Sequence, residues 1–270
     1  MFIDTHCHLD HKDYENDLEE VLKESLEKGV TQCVIPGADM KDLKRAIEIS
    51  EKFEGVFFAI GAHPYDVESF DGSLFEKFVS HKKCVAIGEC GLDYYRLPEL
   101  NERENYKNKQ KEIFTKQIEF SIQHNKPLII HIREASFDSL NILKSYPKAF
   151  GVLHCFNADS MLLELSNRFY YGIGGVSTFK NAKRLVEILP KIPKNRLLLE
   201  TDSPYLTPHP FRGTRNSPMY IPLIAQKIAE IINIEIEELA SLSTHNAQTL
   251  FNFTQNKAIF KKSIIKFGYN

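Results

Sequence analysis

Short runs of aliphatic and β-branched residues recur along the chain. Each is followed by a polar turn and then by a stretch whose apolar positions fall three or four apart. The runs FIDTHC, QCVIPG, VFFAIG, CVAIGE, PLIIHI, GVLHCF, YYGIGG and LLLETD predict eight strands. The stretches between them predict helices over 14–28, 41–52, 72–80, 104–124, 136–145, 160–168, 179–190 and 217–232, with a ninth near 235–252. In the 217–232 stretch Ile221, Ile224, Ala225, Ile228, Ile231 and Ile232 line one face, which is expected to pack on a sheet. Asp39 and Asp42 mark the start of the second helix, and Ser217-Pro218 opens the eighth.

Eight βα units in about 230 residues have the size of one closed barrel. A doubly wound sheet more often has fewer strands and a phosphate-binding glycine loop, and no G-x-G-x-x-G follows the first strand. GECGLD after the fourth strand offers two glycines and no helix start. The expected fold is therefore α/β, a single (β/α)8 TIM barrel with an extra C-terminal helix. It should span residues 1–254, with 255–270 a basic C-terminal extension carrying Lys257, Lys261, Lys262 and Lys266.

Composition narrows the function classes. Hydrophobic residues make up 43% and charged residues 26%, as in an ordinary globular protein. There is no apolar run of membrane length and no basic region followed by an apolar one at the N-terminus, so a cytoplasmic protein without a membrane partner is expected. The five cysteines are odd in number and form no C-x-x-C pair, which points to a reducing compartment and to buried structural thiols. A net charge of -2 argues against a protein coated with nucleic acid but permits a locally basic site for one strand end. The oligomeric state is not readable from the sequence, and a monomer is compatible with it.

Barrel enzymes place their chemistry at the C-terminal ends of the strands. There the sequence puts His6 and His8 on strand 1, Glu89 on strand 4, His131 on strand 5, His154 on strand 6 and Asp202 on strand 8. If Phe2 to His6 is a strand, alternate side chains about 6.5 Å apart let both imidazoles of the first pair reach one metal ion. Any one of these residues alone is an ordinary turn histidine or carboxylate. Together they read as a metal centre. Imidazole and carboxylate ligands without thiolates suit zinc, manganese, iron or magnesium, and six exceed what one tetrahedral ion needs, so two divalent ions are expected. Glu89 is the candidate bridge, and Asp202 the group that binds one ion and takes a proton from the attacking water.

These residues sit in segments that resemble the TatD-type metal-dependent deoxyribonucleases of the amidohydrolase superfamily. FIDTHCHLD, IGAHP, IGECGLDYY, LIIHIREA, LHCF, LLETDSPYLTP, RGTRNSP and NAQTLF stand in that family's order over nearly the whole chain. The resemblance implies a (β/α)8 barrel with two divalent metal sites, and hydrolysis of phosphodiester bonds in DNA by 3′ to 5′ exonuclease action. It also implies that His6, His8 and Asp202 bind the first ion, His131 and His154 the second, with Glu89 between them. Other amidohydrolases bridge with a carbamylated lysine, and no lysine stands at the matching strand end here.

For a phosphodiester substrate, Arg133 is the expected phosphate clamp; His63 reads as a donor to a phosphate oxygen or a turn histidine fixed by Pro64, Tyr94 as a sugar or base contact or a packing residue, and Arg212 and Arg215 as further phosphate cations or loop-bracing ion pairs. Asp4 and Asp93 are expected to orient ligands or loops. Two other readings compete. One is a two-metal enzyme acting on a small ester, lactone or amide; the other is an idle binding barrel, which the complete ligand set disfavours.

Overall fold

The computed structural model describes residues 1–253, and the expected extension over 255–270 lies outside them. Eight parallel strands form one sheet in sequential order: β1 (Phe2–Asp4), β2 (Val30–Ile35), β3 (Val56–Ile60), β4 (Cys84–Asp93), β5 (Leu128–Arg133), β6 (Gly151–Leu153), β7 (Phe169–Ile173) and β8 (Leu197–Leu199). The sheet curls until its edges meet. The Thr5 N–H donates to the Leu199 carbonyl at 3.1 Å, the Asp202 N–H to the His6 carbonyl at 2.9 Å, and the His8 N–H to the Ser203 carbonyl at 2.7 Å. The result is the expected (β/α)8 barrel. No helix among the described residues is long and apolar enough to cross a membrane.

The surrounding helices are α1 (Leu18–Glu27), α2 (Leu43–Lys52), α3 (Gly72–Phe78), α4 (Arg103–His124), α5 (Ser136–Ser145), α6 (Lys183–Ile188) and α7 (Ile221–Ile232), followed by α8 (Ile236–Phe251). Inside the barrel Ile3, Val34, Phe57, Ile129, Val152 and Leu198 fill the space between the strands. The last helix stops one end, where Ala247, Leu250 and Phe251 join this inner cluster and the Phe253 ring meets Phe57 at 4.6 Å. On α7 the face predicted from spacing is the packed one, with Ile221, Ile224, Ala225 and Ile228 buried and Ile231 and Ile232 partly so.

Several expected elements are shorter. The first strand ends at Asp4 rather than His6, because beyond it the backbone divides its bonds between two neighbours: the Cys7 N–H reaches the Val34 carbonyl on one side while Thr5 and His8 pair with the last strand's continuation. The expected helix over 160–168 is a 3-10 helix, Ser160–Leu165, whose buried Leu162 and Leu165 are three apart, the spacing at which 3-10 side chains eclipse. The second helix starts at Leu43, and Asp39 instead closes a turn by accepting the Lys41 N–H at 2.9 Å. Ser217 does open the eighth segment, accepting from the Met219 N–H at 3.5 Å ahead of a 3-10 turn that runs into α7.

One helix positions the loop after β3 and the end of β4 at the barrel mouth. Gln117 of α4, fully buried, accepts the Ala62 N–H at 2.9 Å and donates to the Ala62 carbonyl at 3.0 Å, next to His63. Two turns earlier Gln110 does the same for Asp93, at 2.9 and 3.0 Å. Each amide acts as a strand neighbour where the barrel has none. In Gln117→Ala two buried backbone groups lose their partners at about 1–3 kcal/mol each. The expected loss is about 2–4 kcal/mol, read as a lower urea midpoint at unchanged slope.

Candidate metal centre

Glu89 is the middle of the site. The β4–β5 register shifts between Ile87 and Cys90, and such an irregularity re-aims a side chain. Two residues on, Gly91 has φ +139°, and a Cβ there would stand 2.0 Å from the His131 carbonyl oxygen, so only glycine lets β4 and β5 run this close. The Glu89 carboxylate, 3% exposed, turns its two oxygens to different sets of imidazoles. Oε2 lies 3.3 Å from His6 Nε2 and 3.9 Å from His8 Nε2. Oε1 lies 2.9 Å from His154 Nε2 and 3.1 Å from His131 Nδ1.

Asp202 completes the first set. Its Oδ1 stands 3.3 Å from His8 Nε2 and 3.6 Å from His6 Nε2. The residue has φ +57°, a left-handed conformation that costs a non-glycine residue about 1–2 kcal/mol, and the closure bonds hold it. Asp4 lies beneath, accepting from the His6 N–H at 3.2 Å and from the Thr201 N–H and hydroxyl at 3.0 and 2.6 Å. Burial pushes the Asp4 carboxyl up to about 7 against those bonds. For Glu89 burial also acts upward, but His154, His6 and the hydrogen bond from His131 outweigh it and hold the group well below the usual carboxylate range.

His131 and His154 meet the centre through different nitrogens. His131 pairs Nε2 with Asp93 Oδ2 at 2.8 Å and turns Nδ1 inward, as an orienting Asp93 requires. His154 turns Nε2 inward and leaves Nδ1 buried without a hydrogen-bond partner. His63 also reaches the centre, with Nε2 3.6 Å from Glu89 Oε1.

The other expected substrate residues divide. Arg133 lies exposed at the rim, its guanidinium 3.6 Å from the centre of the Tyr95 ring. Tyr94 is not brought to the centre. Strand alternation turns Asp93 inward and Tyr94 outward, and the Tyr94 hydroxyl donates to Asp138 of α5 at 2.8 Å. Arg212 stacks on Phe179 at 3.9 Å, in the exposed loop after β8, while Arg215 braces α1 through Asp17 at 2.5 Å. Reading the sequence missed Glu200, buried at 1% exposure beside His154, and Tyr205, whose ring lies edge-on 5.8 Å from His8. Alternation past the inward Leu198 was the available signal for Glu200.

The donor set fits divalent metal. Ligand atoms of His6, Glu89 and His154, of His6, His8 and Asp202, and of His63, Glu89 and His131 lie in three overlapping groups, each within 4.8 Å. Buried imidazole and carboxylate lone pairs directed at one another, with no lysine or arginine among them, are stabilised by a cation. A parallel barrel with such a cluster at its C-terminal mouth defines the class of metal-dependent barrel hydrolases. The chain belongs to the TatD-related DNase family, which matches residues 3–252. It is 41% identical over 260 residues to the metal-dependent hydrolase YabD of Bacillus subtilis, covering 93% of this chain and 99% of YabD. It is 35% identical over 272 residues to the metal-dependent hydrolase YcfH of Escherichia coli K12, covering 95% and 98%. Among solved structures, the TatD homologue YjjV of E. coli K12 superposes with a TM-score of 0.82 at 27% identity, covering 93% of this chain and 98% of that one.

Metal bound to the folded state alone raises stability by about 2.7 kcal/mol at one hundred times the dissociation constant. Stripping metal with a chelator should lower the unfolding midpoint by about 5–10 °C, restored by zinc or manganese. In Glu89→Ala the midpoint should no longer respond to either ion.

Proposed function

We propose that the protein hydrolyses phosphodiester bonds in DNA, shortening strands from the 3′ end, with two divalent ions held by His6, His8 and Asp202 on one side and His131 and His154 on the other. The observation that carries this reading is the division of Glu89: each oxygen faces one imidazole set, as a bridging ligand requires. Ions held there supply the Lewis acidity that activates water and stabilises the leaving oxygen. Zinc, manganese and magnesium all suit these ligands.

The remaining steps belong to side chains. The Asp202 carboxylate, 15% exposed beside the first set, accepts the proton of the attacking water. His63 Nδ1 accepts the Tyr65 N–H at 3.1 Å, so the proton of the neutral ring sits on Nε2, the nitrogen facing the centre. Burial keeps this imidazole neutral, its pKa lowered to about 3. His63 is thereby a hydrogen-bond donor to a non-bridging phosphate oxygen. Arg133, stiffened by its stack on Tyr95, holds the phosphate at the rim. A cleft of about 510 Å³ opens beside His131, His154 and Asp202, walled by Phe156, Val176 and Leu206. Its size and mixed lining suit one nucleoside next to the scissile bond.

End-labelled single-stranded DNA incubated with magnesium, manganese or zinc tests this. Stepwise 3′ shortening is expected, with the rate reduced about 10²–10⁴-fold in Asp202→Ala and about 10²-fold in His63→Ala. Rising salt should weaken binding, as phosphate contacts release counterions. Intact DNA from metal-loaded protein overturns the nuclease reading and turns the search to small esters, lactones and amides.

A further inference from the structure

Glu200 follows β8 inside the barrel, 1% exposed. Its Oε1 accepts the Cys155 N–H at 2.5 Å and stands 3.7 Å from His154 Nδ1. Its Oε2 is buried without a hydrogen-bond partner, packed so closely on β7 that a Cβ at Gly172 would stand 2.0 Å away. His154 Nδ1 is likewise buried and unpartnered, while Nε2 of the same ring faces Glu89. Glu200 Oε1, which has one donor in the Cys155 N–H, is therefore the acceptor nearest to a buried ring nitrogen that has no partner.

The carboxylate supplies the acceptor that the ring nitrogen lacks. An imidazole that offers Nε2 to a cation must carry its proton on Nδ1, and that proton needs an acceptor when buried. A buried carboxylate needs donors. Cys155, directly after His154, has φ +42°, a left-handed turn that its N–H bond to Glu200 anchors. Asp93 does the mirror task for His131 through the opposite nitrogen.

We propose that Glu200 is a positioning residue for His154: its carboxylate anchors the turn at Cys155 and holds the ring proton on Nδ1, so that Nε2 presents its lone pair to the metal centre. This rests on His154 being a ligand, and not on which bond the enzyme hydrolyses.

The test is zinc binding to the metal-stripped full chain, read by competition with a chromophoric chelator, in wild type, Glu200→Gln, Glu200→Ala and a His154→Ala control. Imidazole ¹⁵N NMR of the zinc-loaded protein reports the tautomer. One zinc site is expected to weaken about 100-fold in Glu200→Ala and about tenfold in Glu200→Gln, whose amide oxygen accepts without charge. The other site should keep its affinity, and His154 should lose its single Nδ1–H tautomer in the alanine variant. Should that variant fail to fold, the glutamine variant decides. Wild-type zinc affinities in either folded variant overturn the proposal. So does equal weakening of both sites with a lower unfolding midpoint in Glu200→Gln, which would make Glu200 a core residue only. A wild-type protein whose zinc affinity is unchanged by His154→Ala removes the ligand assignment and the positioning role with it.

Discussion

Barrel closure is the constraint on which everything else depends. The first and last strands are each only three residues long, and neither could hold the seam by its own ladder. The chain past β1 bonds the end of β8 through Thr5 to Leu199, and the segments past both strands complete the seam through Asp202 to His6 and His8 to Ser203. Those same residues carry His6, His8 and Asp202. Forming the seam and gathering this ligand set are one event, and the buried Asp4 carboxylate, shared between His6 and Thr201, ties the two chain segments from below.

The second constraint is electrostatic. The imidazoles around the buried Glu89 carboxylate outweigh its burial and favour its ionised form. Outside the ring of imidazoles, Asp93 sets how His131 stands, and the Tyr65 N–H does so for His63. The mouth thus has layers: a central acid, a ring of imidazoles, and a rim on which Arg133 and Tyr95 stack in solvent.

Much of this was readable beforehand. Alternating β and helical periodicity defined the eight units because each strand is apolar on both faces and each helix on one. The candidate ligands stood out because histidine and acid recur at one end of the strands, and the structure brings them within 4.8 Å of one another in three groups. What escaped depends on tertiary detail. Tyr94 and Tyr95 are adjacent, and only the outward turn of the first sends its hydroxyl to Asp138 and leaves the second under Arg133. Glu200 was missed because nothing in its own segment reveals that the histidine following β6 lies against it. The 3-10 helix at Ser160–Leu165 escaped because a short apolar segment does not distinguish three residues per turn from 3.6.

The placement of the candidate ligands also orders the life of the chain. His6, His8 and Glu89 are made early, His131 and His154 midway, and Asp202 near the end, so a growing polypeptide displays partial chelating sets long before the seam can form. Loose histidines and acids bind cations indiscriminately, favouring the metals that bind most tightly. Because the seam locks only when β8 docks, the geometry that could discriminate among metals arrives last. If these residues hold metal, the ion that a newly made molecule carries depends on the metals available in the compartment where it folds as much as on the finished site.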